Sequence, residues 1–154
     1  MVSGFGTAMV GDHGADCNPV RRMRFRSANR EETMPQVRIE TRDHWLQGRN
    51  AQLFQAIQDG LVEGIKIPPD DQCFRLITYD AAHFPTPPGK TDRCMVIEVA
   101  LVAGRTLAAK RGAYAAIARN IKAAFGIDPS DLRIVLEEVN LDNWGINGKP
   151  ASEL

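Results

Sequence analysis

From Pro35 onward the chain switches between two hydrophobic periods, and it does so twice. Pro35–Thr41 places Val37 and Ile39 two residues apart, the spacing of a strand with one buried face. Leu53, Ile57 and Leu61, with Phe54 alongside, then recur at helical spacing and predict a helix from about Ala51 to Glu63. Asn50 stands where it can cap that helix, and Gly64 where its exit begins. Ile67–Asp71, with its Pro-Pro pair, turns the chain into a second strand, Cys73–Tyr79.

The same order returns. Met95–Val102 reads as a strand and Thr106 as an N-cap. Leu107–Phe125 reads as a helix with Leu107, Tyr114, Ile117, Ile121 and Phe125 on its apolar side and Gly126 at its end. Ile127–Asp131 then leads into the strand Leu132–Val139. The pairs Gly48-Arg49 and Gly104-Arg105 lie 56 residues apart, and Asp71 and Asp131 lie 60 apart. The near-equality predicts a duplication with a slightly longer second helix. A proline-rich loop, Ala81–Arg93, joins the copies.

These elements predict an α+β two-layer sandwich. It consists of two fused β-α-β units, about 35–80 and 95–142, forming a four-stranded mixed sheet with two helices on one face. Strands flanking each helix must be parallel, because the crossover requires it. Each unit, at about 55 residues, is too small to stand alone comfortably. The uncovered sheet face and the edges call for a partner, and a symmetric oligomer supplies one.

Residues 1–33 lack this patterning. They are rich in Gly, Arg and Asn, and are expected to be a disordered extension or an over-long reading, with translation beginning at Met34. The boundary is therefore set at 34–154 for the patterned domain. No apolar run follows Arg21-Arg22, so an export signal is rejected. Asp12, His13, Asp16 and Cys17 imitate a metal site without a scaffold to fix their geometry, and are read as a solvated tail.

Composition narrows the picture further. The chain has 154 residues, 44 % hydrophobic and 25 % charged, with zero net charge, which argues against a nucleic-acid or anionic-membrane partner. Three cysteines (Cys17, Cys73 and Cys94) form no disulfide framework, and a reducing cytoplasm is the simplest compartment. Cys73 and Cys94 are expected as small buried hydrophobes. His44 and His83 are expected as loop residues facing solvent. Gly89-Lys90 lacks the upstream glycine of a phosphate-binding loop. No metal site is expected.

A strand opening Met34-Pro35, a Gly-Arg helix start and a Pro-x-Asp turn together resemble the tautomerase superfamily. The ending Glu137–Glu153, in which Trp144 precedes Gly-Ile-Asn-Gly, looks like the end of 4-oxalocrotonate tautomerase-type units. The double-length form resembles malonate semialdehyde decarboxylase. The resemblance covers Met34 to Leu154. It implies a cofactor-free homotrimer acting on a small carboxylate substrate.

It also implies roles. Pro35, once first in the chain, would be the catalytic base. A secondary amine in an apolar pocket beside arginine has its protonated form disfavoured, and so becomes a neutral base. With upstream residues attached, its nitrogen is an amide without basicity. Arg105 would hold a substrate carboxylate and stabilise a developing enolate. Asp71, 36 residues after Pro35, matches the acid that works with the proline in the decarboxylase. Trp144 would wall the pocket, and Arg49 is the first-copy counterpart of Arg105. Arg38, Arg75 and Arg93 are possible neighbours. The decarboxylase pattern carries two arginines at the end of the third strand, whereas Ala103-Gly104-Arg105 offers one. Keto-enol chemistry is thereby favoured over decarboxylation or hydration. A non-catalytic oligomeric binding protein is the reading if residues upstream of Pro35 are retained.

Overall fold

The computed structural model describes residues 35–154. The expectations for residues 1–33, including the Asp12, His13, Asp16, Cys17 cluster, lie outside the described residues. The chain folds as β1 (Gln36–Arg42), α1 (Asn50–Ile65), β2 (Cys73–Tyr79), β3 (Met95–Val102), α2 (Leu107–Phe125) and β4 (Leu132–Val139). A terminal hairpin of β5 (Gly145–Ile146) and β6 (Lys149–Pro150) follows. The four long strands form one sheet in the order β2-β1-β3-β4. β1 pairs parallel with β2, and β3 with β4, as the helical crossovers demand. The two repeats meet through an antiparallel β1–β3 pair. One sheet end therefore collects the starts of β1 and β2 and the exits of β3 and β4. The other end collects the reverse.

Strand parity decides what is buried. Val37, Ile39 and Thr41 of β1 and Met95, Ile97, Val99 and Leu101 of β3 face the helices and are sealed from solvent. Leu53, Ile57 and Leu61 of α1 and Ala113, Ile117 and Ile121 of α2 close over them. The opposite face carries Arg38, which pairs with Glu40 at 3.2 Å and with Glu98 at 2.6 Å across the strands. Ile77 and Val135 on its outer strands are exposed. No helix among the described residues is long and apolar enough to cross a membrane.

The helices run antiparallel and touch through small residues. A Cβ added at Gly64 would fall 2.2 Å from the Ala113 backbone nitrogen, and one at Gly60 would fall 2.7 Å from that of Ile117. Gly64 is thus a packing residue inside α1, not its exit as the local pattern predicts. The helix ends at Lys66, in the left-handed region at φ 59°, whose N–H returns to Val62 O at 3.2 Å. The expected cap Asn50 is instead the first helical residue, and Arg49 occupies the cap position without a capping side-chain bond. Thr106 does cap α2, its hydroxyl accepting from the Ala109 N–H at 3.2 Å. Leu107, expected in the apolar stripe, is 60 % exposed at the first position of α2. Cys94 is buried, but Cys73 is exposed, because it opens β2 on the face turned away from the helices.

Candidate functional site

Topology brings four of the candidate residues toward one sheet end. Gln36 sits opposite Cys73 in the parallel pair, so Pro35 lies alongside the Asp71-Gln72 segment. Gln36 also sits opposite Ala100, so β3 exits at that end into Ala103, Gly104 and Arg105. β4 runs parallel to β3 and leaves there too, leading to Trp144. An open recess of about 230 Å³ is lined by Gln36, Ala100, Val139, Asn143, Trp144 and Gly145. The β5–β6 hairpin turns back through Asn147 and Gly148, both at positive φ (53° and 78°), the backbone of a tight hairpin turn. The Ala151 N–H then reaches Trp144 O at 2.8 Å, which holds Trp144, half-buried, over the recess.

Arg105 stands on the β3–α2 turn, and that turn is fastened from β4. Glu138 Oε1 accepts from the N–H groups of Gly104 at 3.1 Å and Arg105 at 3.2 Å. Its Oε2 accepts from Lys110 Nζ at 2.6 Å. The Lys110 bond, followed by the Gly104 N–H, holds the Glu138 carboxyl below its usual range. Asp71 is in the opposite condition. Its carboxyl accepts no hydrogen bond among the described residues, and burial, helped by the charge of Asp70, pushes it up from 3.8 to about 6.

The equivalent residues of the second repeat lie at the other end, which is filled. Asp131 is 5 % exposed and its carboxylate accepts from both the N–H and the hydroxyl of Thr91, each at 2.7 Å. Lys90 Nζ bonds Ser130 O beside it. Trp45 is buried against Phe125, edge to face at 5.5 Å, and its Nε1 donates to Thr41 Oγ1 at 3.0 Å. Met95 stands where the first repeat has Pro35, with a peptide nitrogen inside the chain. Arg49 falls at this end, 4.7 Å over the Phe125 ring and donating to Trp45 O at 3.4 Å. Within one chain it is therefore apart from Pro35. Arg93 is here as well, 5.6 Å over Trp45 and donating to Phe125 O at 2.6 Å. Truncating Asp131 to alanine leaves the Thr91 donors without an acceptor. The Asp131→Ala chain is expected to lose about 1–3 kcal/mol of stability, read as a lower urea midpoint at unchanged slope.

Of the remaining arginines, Arg75 donates to Gln36 Oε1 at 2.9 Å on the open sheet face near the Pro35 end, while Arg38 is taken by its two glutamates. His44 pairs with Asp92 at 3.1 Å and His83 with Asp80 at 2.8 Å, both in exposed loops. No three His, Cys, Asp or Glu among the described residues are grouped to hold a metal ion. Sequence reasoning missed Gln36, Gln58 and Glu138 at the Pro35 end and Trp45 at the filled one. For Glu138 a signal existed, since strand parity puts it, unlike Glu137, on the helix face beside the Gly104-Arg105 turn.

Two β-α-β units sharing one four-stranded sheet, joined through an antiparallel β1–β3 pair, define the class of fold. The native fused 4-OT structure has this fold, with a TM-score of 0.69 at 22 % identity over 77 % of this chain and 98 % of that one. FG41 malonate semialdehyde decarboxylase, inhibited by 3-bromopropiolate, matches with a TM-score of 0.64 at 26 % identity over 73 % and 88 %. Residues 71–147, half of the chain, match the family described as tautomerase enzyme (Tautomerase_2). The probable tautomerase YusQ of Bacillus subtilis (strain 168) is 29 % identical over 126 residues, 75 % of this chain and 96 % of that protein. The chain belongs to the tautomerase superfamily.

Proposed function

We propose that this chain is a cofactor-free tautomerase that interconverts keto and enol forms of a small 2-oxo or 2-hydroxy unsaturated carboxylic acid. The observation that supports the reading is that Pro35, Asp71, Arg105 and Trp144 all lie toward one end of the sheet. The Pro35 amine, freed by initiation at Met34 or by cleavage before Pro35, takes a proton from the substrate and returns one to a different atom. Arg105 holds the carboxylate and balances charge that develops on the enolate oxygen. Trp144 keeps water from the amine, which favours its neutral form. Arg49 joins the substrate site only from a neighbouring chain. A homotrimer would place it there, and fused 4-OT structures that share this fold are symmetric and asymmetric trimers. The sparse cysteines support a cytoplasmic location, and the zero net charge argues against a nucleic-acid or anionic-membrane partner.

The test is ketonisation of an enol carboxylate by a chain beginning at Pro35, followed by loss of enol absorbance. A rate no faster than buffer sinks the reading. Asp71 supplies the pH dependence. Its folded value, about 6, lies above the ordinary 3.8, so the protonated carboxyl is the form folding favours. Its contribution to stability is therefore greatest at low pH, declines as pH rises from about 4 to about 6, and is level above that. If the carboxylate assists Pro35, kcat/KM rises with pH through about 6, and Asp71→Asn removes that limb of the profile.

A second reading keeps the scaffold and changes the reaction to hydration with loss of halide or carbon dioxide. The half-buried, unbonded carboxyl of Asp71 favours it, because such a group can activate water. The lone Arg105 at the β3 exit weighs against it. Turnover of a 3-haloacrylate or malonate semialdehyde in preference to the enol probe would select this second reaction. A non-catalytic oligomeric binding role stands if the Pro35 nitrogen remains an amide in the cell.

A further inference from the structure

The turn that delivers Asp71 is unusual in its hydrogen bonding. Pro68 and Pro69 have no N–H to donate, so the turn presents carbonyl oxygens with few internal partners. Within it the Asp71 N–H closes on Pro68 O at 3.2 Å, and at the surface Gln72 Nε2 donates to Pro69 O at 3.4 Å. The buried partner comes from the core of α1. Gln58 is 1 % exposed, and its Nε2 lies 3.2 Å from Pro68 O, 3.3 Å from Pro69 O and 3.2 Å from Asp71 O. Three acceptors around one amide nitrogen fix which way the side chain points, since the reverse orientation would set oxygen against oxygen.

That orientation leaves Gln58 Oε1 buried with no partner among the described residues. An orphaned buried acceptor opposes folding, and an apolar side chain would avoid it. The second repeat carries one. Ile57 and Leu61 correspond to Ile117 and Ile121, all four buried, which puts Ala118 at the place of Gln58. The second turn is stapled from within, by the Asp128 side chain accepting from the Ser130 N–H at 3.0 Å, and Thr91 locks its aspartate. The first repeat thus holds its turn by the backbone and leaves the aspartate carboxyl unbonded.

We propose that Gln58 is the positioning residue for Asp71: its side-chain amide shares two N–H donors among three carbonyl oxygens of the turn, ties the turn to α1, and so sets the Asp71 carboxyl at the Pro35 end of the sheet. The role rests on the reading of Asp71 as the working partner of the Pro35 amine. Gln58 touches no substrate; it acts through the turn.

Gln58→Met, close in volume and without the donor, tests this in the chain beginning at Pro35. The expected result has three parts. The denaturation midpoint is unchanged or raised. The Asp71 titration, followed by carboxyl-carbon NMR, moves down from about 6 toward the ordinary range. Catalytic turnover of the enol probe falls by roughly ten- to a hundredfold, the scale of a misplaced catalytic group, while KM barely changes. A merely structural glutamine would shift the midpoint and leave the Asp71 titration alone, and that outcome overturns the proposal. If the unsubstituted chain turns over no substrate, the tautomerase reading fails, and the titration shift still decides the role of Gln58. If Gln58→Met does not fold, hydrogen exchange at Gln58 Nε2 in the unsubstituted chain decides instead. Slow exchange, together with couplings to the Pro68, Pro69 or Asp71 carbonyls, supports the clamp. Exchange as fast as that of a surface glutamine removes it.

Discussion

A chain whose first residue is Pro35 is expected to ketonise an enol carboxylate about 10²–10⁴ times faster than the same chain with the upstream residues attached, the contribution typical of one positioned base. The two proteins share every described residue, and at Pro35 they differ in the chemistry of one nitrogen. In the shorter chain the ring nitrogen is a secondary amine that can hold a proton. In the longer one it is a peptide nitrogen whose lone pair is delocalised into the carbonyl. Trp144, Arg105 and Asp71 are present in both, so the expected difference is in kcat, the step in which the base takes the proton. Steady-state kinetics on both chains, with intact mass to verify the first residue, measures this. Pro35→Ala in the short chain retains an amine without the ring that fixes its direction, and its rate is expected to fall as well. Equal kcat in all three would mean that the proton is moved by another group.

Gly64→Ala is expected to lower stability by about 3 kcal/mol, at the upper end of overpacking effects, even though alanine is the better helix former by roughly 1 kcal/mol. The steric term decides the sign. The added methyl would meet Ala113 backbone nitrogen at 2.2 Å and its Cα at 2.3 Å, and a helix backbone cannot yield as a side-chain tip can. The two helices would have to separate, opening the layer that covers Ile57, Leu61 and Ile117. Gly112→Ala is the control. Its methyl would lie 3.5 Å from Gly64 Cα, an ordinary contact, so there the helix-propensity gain is expected to prevail. Urea denaturation of both variants settles the comparison. A raised midpoint for Gly64→Ala would show that the helix contact is looser than described.

The parts of the fold that announce themselves in sequence are those governed by local period. The ranges Cys73–Tyr79, Met95–Val102, Leu107–Phe125 and Leu132–Val139 read from the pattern coincide with the elements observed. What escapes is decided across the molecule. Gly64 reads as a stop signal because a glycine past an apolar stripe usually is one, and only the neighbouring helix reveals it as a contact. Cys73 reads as buried by residue type, yet strand parity turns it outward. The site divides in the same way. Pro35, Asp71, Arg105 and Trp144 stand out through motif spacing, and topology alone gathers them. Arg49 is equally conspicuous in sequence and lies at the opposite end of the chain's own sheet, over Phe125. Gln58 could not be found from spacing, since a lone glutamine in an amphipathic helix carries no signal until the carbonyls around it are seen.

The filled end built from Trp45, Phe125, Arg93 and the Thr91–Asp131 pair gives the duplicated chain a division of labour. A single β-α-β unit used in several identical copies must compromise at every position, because each substitution lands in all copies at once. Here the two halves are covalently one and free to diverge. One terminus of the sheet can keep a carboxyl poorly solvated and a cleft open, both of which weaken a fold, while the other offsets the loss with an interlocked plug. Substitutions should accordingly sort by address: those near Asp71 register in rates, and those near Asp131 in melting.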